Sequence, residues 1–298
     1  MRIILLFLLS FSTAYAENSL TLHIIRSPNG LDWSHPRSLA RTVVMNALSP
    51  KNRMIGHVAV ELKCEAVDGG AEIHELTGTS NAKSSVYSNQ ILFKKMGFGV
   101  IFDTYDGVLE SKNELLEEFE KKYNKKRRNR ITFIKHLINS QTCLRLKAYL
   151  DEYRKMGYGN FYGLPLRPLQ REGAGCSAFG VSFLSNAGLM REEFSENWTY
   201  DLRVPSDLIG GEFHPDGSNK VNLFKLYFLK NSKNRWASAD EDHKRIFFWD
   251  PDTMYRWTLE RVRNMDYPRA LIVKRGESHG LVIQAEHIPT PDGPLFEN

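Results

Sequence analysis

Cysteine is scarce in this chain, and long apolar runs are missing beyond its first residues. Only Cys64, Cys143 and Cys176 occur among 298 residues. In an oxidising compartment an odd number leaves one thiol over. After the start, no stretch approaches the length of a membrane-spanning helix, so no such helix is expected once a leader is removed. There is no glycine-rich phosphate loop and no Gly-x-Ser-x-Gly elbow, which excludes the common nucleotide-binding and serine-hydrolase signatures. No internal repeat and no low-complexity segment is present, so a solenoid is excluded.

What is present begins with Met1-Arg2 and an apolar run that ends in Ala14-Tyr15-Ala16. That pattern predicts a secretory signal peptide over residues 1–16 and an exported, secreted or periplasmic mature chain. No cysteine follows the cleavage point, so no lipoprotein anchor is expected. Residues 17–298 suffice for one large domain. The hydrophobic fraction of 42% and charged fraction of 25% are those of an ordinary globular protein. The net charge of +5 is mild. The cluster from Lys121 to Arg130 holds seven positive side chains in ten residues; it reads as a solvated helix end and loop, and no nucleic-acid partner is expected.

Along the chain, 20–26 reads as a first strand, followed by a turn at Ser27-Pro28-Asn29-Gly30 and a helix that starts near Pro36, with Ser34 as its cap. Residues 55–64 read as a strand with Val58, Val60 and Leu62 on one face and His57, Ala59 and Glu61 on the other. Asp68-Gly69-Gly70 turns the chain into a partner strand over 71–76. Further strands are expected over 92–102 and 131–138, and an exposed helix over 112–122. A helix capped by Asn139 or Ser140 runs to Arg154, with Cys143, Leu146, Leu150 and Tyr153 as its apolar stripe. A loop rich in tyrosine, glycine and proline, 158–168, comes next. Residues 267–273 and 280–285 read as a terminal strand pair. A weak boundary near 205 separates residues 17–204 from an aromatic C-terminal extension, 205–298, packed on the same domain. His214-Pro215-Asp216 and Asp250-Pro251-Asp252 carry metal-ligand residue types, but without a partner cluster they read as turns, and no metal or cofactor is expected.

The stretch from Gly173 to Gly188 is the centre of the chain. A glycine-rich approach leads to Cys176, then to about three helical turns with no charged residue, which marks a buried helix. Unpaired N–H groups and the positive dipole end at such a helix start favour a thiolate. The alternative is a structural cysteine ahead of a core helix. A nucleophilic cysteine needs a base, and the base needs an orienting group. His57 is the candidate base and His74, on the adjacent strand, the candidate orienter; Glu75 and Glu72 are alternatives. Cys64 and Cys143 are the expected disulfide, leaving Cys176 free.

Gly56-His57-Val58-Ala59-Val60-Glu61-Leu62 resembles the histidine strand of the NlpC-like cysteine hydrolases, and Ile73-His74-Glu75 is similar to the strand that follows it there. In this chain the cysteine comes last, as in the circularly permuted, papain-like branch that includes the lecithin retinol acyltransferase-like enzymes. The resemblance covers about residues 50–190 and departs in the long segment 80–130. It implies an α+β fold in which an antiparallel sheet packs on a buried helix carrying the cysteine at its N-terminus. It implies covalent acyl transfer on an amide or ester, with His57 moving the proton, His74 holding its tautomer, and Tyr162 or Tyr158 assisting the Cys176 backbone N–H at the oxyanion. The implied substrate is a peptide, peptidoglycan or lipid of the cell envelope. A non-catalytic envelope-binding protein on the same fold, or an acyltransferase, remains open.

Overall fold

A strand buried on both faces has to lie inside a sheet, and Ser19–Ile25 (β1) is buried at every position. In the computed structural model, which describes residues 17–47, 55–66, 71–82, 95–126 and 130–297, β1 pairs antiparallel with His57–Cys64 (β2) on one side and with Ile131–Leu137 (β6) on the other. The remaining strands are Ile73–Thr77 (β3), Thr79–Asn81 (β4), Tyr105–Leu109 (β5), Phe161–Tyr162 (β7), Thr199–Pro205 (β8), His243–Trp249 (β9), Ala270–Arg275 (β10) and Ser278–Gln284 (β11). The six-stranded main sheet runs β10-β11-β6-β1-β2-β3, with β11 parallel to β6 and the other pairs antiparallel. A small sheet, β4-β5-β7, and a ribbon, β8-β9, complete the strands among the described residues. The chain is an α+β protein.

The helices are Pro36–Ala47 (α1), Lys112–Tyr123 (α2), Ser140–Lys155 (α3), Cys176–Asn186 (α4), Glu192–Trp198 (α5), Leu223–Tyr227 (α6) and Pro251–Asn264 (α7). Alternation along the strands divides the core. Leu20, Leu22 and Ile24 of β1 and Val58, Val60 and Leu62 of β2 meet α3, α4 and α7. Ile25, Ala59 and Phe133 meet Leu115, Phe119 and Tyr123 of α2 on the other face. A third cluster joins α1 to β8, β9 and α6. Caps set the helix starts: the Ser111 hydroxyl accepts from Glu114 N–H at α2, and the Asn139 carboxamide oxygen from Thr142 N–H at 2.8 Å at α3. The Cys64–Cys143 disulfide ties the end of β2 to α3 across 79 residues. A loop of that length corresponds to roughly 4.5 kcal/mol in the chain-entropy account.

Several expectations change. Residues 95–102 form no strand: Met96 and Gly97 make isolated bridges to Val221 and Ile209, and Phe98–Ile101 is a 3-10 turn. Gly97 sits at φ +54°, outside the extended region, with Val221 so close that no Cβ would fit. Asp250-Pro251-Asp252 is a helix start, since the Asp250 carboxylate accepts from Thr253 N–H at 2.9 Å. Residues 205–298 are built into the molecule: β9 pairs with β8 along its whole length, and β11 lies beside β6 in the main sheet. The expected leader and the turn at 68–70 lie outside the described residues.

Candidate active site

Helix α4 approaches β2 closely because one of its contact residues is glycine. A Cβ on Gly180 would come within 2.8 Å of Val58 Cγ1. Gly180 lies one helical turn after Cys176, on the same side, so this close approach brings the helix start to the start of β2. Cys176 is the first residue of α4, capped by Gly175 with no side-chain cap, and His57 is the first residue of β2. Both are buried, with Cys176 5% and His57 2% exposed. Cys176 is the free cysteine.

The thiol and the imidazole are hydrogen-bonded. Burial by itself pushes the Cys176 thiol up. The bond to His57, the His57 charge and the Val58 backbone amide outweigh burial and hold the thiol below its ordinary range, against a smaller opposing push from Glu110. The other side of the imidazole is fixed by Glu110: His57 Nε2 lies 2.7 Å from Glu110 Oε2, with side chains 3% and 9% exposed. Nδ1 is therefore the nitrogen left for the sulfur.

Glu110 was not among the sequence candidates. It follows the last residue of β5, and its backbone is pinned by Glu110 N–H to Gly78 O at 2.9 Å and by the Thr77 hydroxyl to Glu110 O at 3.0 Å. Gly78 makes the contact possible. A Cβ there would lie 2.5 Å from Glu110 Oε2 and 3.1 Å from His57 Nε2. Nothing local in the sequence marks Glu110; the one hint is the length of segment 80–130, from which β5 returns to the end of β3.

The expected orienter, His74, is placed elsewhere. Lys63 pairs with His74, and β3 ends at Thr77 opposite Val60. His74 therefore lies at the far end of β2 from His57. Its Nε2 is 2.9 Å from Glu61 Oε1, in a cluster with His23 and Lys63. Burial raises the Glu61 carboxyl, but these partners prevail and hold it well below the carboxylate range. Glu75 faces α3, where Arg154 at 2.9 Å and Lys147 at 3.7 Å engage it. Glu72 is exposed ahead of β3. None of the three orients His57.

Tyr162 is buried and lines a cavity together with Cys176; on the small sheet it pairs with Tyr105, which lines it too. Tyr158 instead packs its ring against Tyr153 and Phe296, and is not part of the cavity wall. Ser177, next to the cysteine and 3% exposed, is a second missed residue: it is part of the cavity lining, and its buried hydroxyl has no hydrogen-bond partner. Backbone N–H groups in the first turn of α4 have no intrahelical acceptor, so they and Ser177 are donors available near the sulfur. Among the described residues, no group of three or more His, Cys, Asp or Glu is placed to hold a metal ion, and no helix is long and apolar enough to cross a membrane.

Compared with protein-family models, with curated proteins and with solved structures, the chain matches none of them.

Proposed function

We propose that this chain is an exported cysteine hydrolase of the permuted NlpC-like, papain-like kind, acting on an amide or ester of the cell envelope through an acyl-enzyme. The observation that carries the reading is the buried chain of contacts from Cys176 to His57 to Glu110, with the sulfur at a helix start. A core cysteine needs no imidazole partner, and a binding module has no use for a thiol held below its ordinary pKa.

In the proposed reaction, the Cys176 thiolate attacks the carbonyl carbon while His57 holds the thiol proton. The first-turn N–H groups of α4 take the negative charge on the carbonyl oxygen, with Tyr162, in the lining of the same cavity, as a side-chain candidate. The bond to the leaving group breaks, and His57 returns its proton to that group. Water, deprotonated by His57, then attacks the thioester; the carboxylic acid leaves and the thiol is restored. Glu110 stays ionised throughout and stabilises the imidazolium. Transfer of the acyl group to another acceptor is the second reading, favoured by how little of Cys176 water reaches. The partition of the thioester between water and an added amine separates the two.

The test is the rate of Cys176 alkylation by iodoacetamide against pH, in the wild type and in His57→Ala. The expected result is rapid reaction well below ~8.5, where a free thiol ionises, and loss of that low-pH reactivity in the variant. Reaction along an ordinary thiol profile in both proteins overturns the dyad.

A further inference from the structure

The cavity beside Cys176 carries information about the substrate that the dyad does not. Its volume is about 120 Å³. Leu39, Ala40 and Val43 of α1 form one wall, and Phe98 and Ile101 form another. Cys176 and Ser177 lie side by side in its lining. The two carboxylates in the lining are already engaged: Asp103 accepts from Thr104 N–H at 2.8 Å, and Asp250 accepts from Thr253 N–H at 2.9 Å. Burial, and then the neighbouring Asp252, push the Asp250 carboxyl up to about 7, so it is a weakly charged wall. The result is a largely apolar chamber with the Cys176 thiol at one end, whose other polar side chains include Tyr105, Tyr162 and the two engaged carboxylates.

Resting on the cysteine-hydrolase reading, we infer that this chamber holds the acyl side of the substrate, and that the acyl group is aliphatic. An anionic acyl group would meet the Asp103 and Asp250 carboxylates, and a strongly polar one would lack partners against α1, at a cost an apolar group does not incur. An aliphatic acyl group gives up only water-exposed methylenes. Its carbonyl lies at the Cys176 end, where the first-turn N–H groups of α4 can donate to the oxygen. The volume sets a limit. At a water's share of ~30 Å³ per group, the chamber takes about four methylene-sized groups beyond the carbonyl, which is an acyl group between butanoyl and hexanoyl. The shared chemistry is an aliphatic acyl carbonyl, whether it comes from a lipid-type ester or an acylated amine.

The experiment uses the mature chain and a series of p-nitrophenyl esters with a constant leaving group: acetate, butyrate, hexanoate and decanoate. The expected result is a rise in kcat/KM of about fourfold per added methylene, corresponding to ~0.8 kcal/mol buried at 1.36 kcal/mol per decade. The rise, about two-hundredfold from acetate to hexanoate, should stop before decanoate. Val43→Phe narrows the chamber, and the ratio of the hexanoate to the acetate kcat/KM should fall at least tenfold. Hexanoyl ethanolamine ester and hexanoyl amide, run side by side, tell an ester source from an amine source. Turnover of acetate with a flat or falling series overturns the aliphatic-acyl proposal and leaves the dyad standing. Failure of every ester, acetate included, to acylate Cys176 overturns the dyad as well. Because the wild-type series decides by itself, a Val43→Phe chain that does not fold leaves the proposal exposed to refutation.

Discussion

Gly78→Ala is a one-carbon change that attacks the contact between His57 and Glu110 without touching either residue. Gly78 does not have a positive φ, so the backbone accepts alanine and the effect is steric. The new Cβ would lie 2.5 Å from Glu110 Oε2, whereas ordinary contact begins near 3.4 Å. The carboxylate has to retreat by about 0.9 Å. A retreat along the line to His57 takes the 2.7 Å contact to about 3.6 Å, which is no longer a hydrogen bond. A hydrogen bond to a charged group contributes ~1.5–3 kcal/mol, so the imidazolium loses support worth about tenfold to a hundredfold in rate. The assay is Cys176 alkylation against pH, beside ester turnover. At about pH 6 the reactivity should fall by that factor, and near pH 9.5, where any thiol is ionised, the variant should converge on the wild type. Glu110→Gln should behave in the same way. An unchanged low-pH limb in both variants refutes the assignment of Glu110 as the group that holds His57.

Two further outcomes follow from placement. His74→Ala should leave the alkylation profile within about twofold of the wild type and cost about 1 kcal/mol in urea unfolding; loss of low-pH reactivity would instead return His74 to the site. His136 is buried on β6, where burial, and then Arg191, push its imidazole down to about 3, so the folded chain keeps it neutral while the unfolded chain binds a proton near 6.5. Between those values the unfolded state holds more protons, and stability falls as the pH falls, by up to ~1.4 kcal/mol per pH unit. His136→Gln removes this contribution. Its unfolding free energy should therefore gain on the wild type as the pH drops from about 6.5 to 4, and a pH-independent difference refutes the buried neutral histidine.

The sequence by itself determined what depends on neighbours along the chain. Alternating Val58, Val60 and Leu62 suffice to define β2, and the Glu117/Lys121 and Glu118/Lys122 pairs at helical spacing suffice for α2. The Asn139 cap and an apolar stripe locate α3, and an uncharged run after Gly173-Ala174-Gly175 locates the helix over Cys176–Asn186. In each case the signal is a hydrogen bond or a periodicity spanning a few residues. The same local logic failed over 95–102, where aromatic residues read as a strand but Gly97 and Gly99 are pressed against the loop around Gly210. The tertiary structure alone decided which acid meets His57. Two neighbouring strands put His57 and His74 on a shared pattern, but register, not pattern, sets distance: β3 stops at Thr77, opposite Val60, and turns away at Gly78. That leaves the end of β2 open to Glu110, which arrives from another sheet. The apolar chamber is likewise a product of α1, the 3-10 turn and the start of α4 coming together. No stretch of sequence carries it, because its walls are far apart along the chain and meet only through packing.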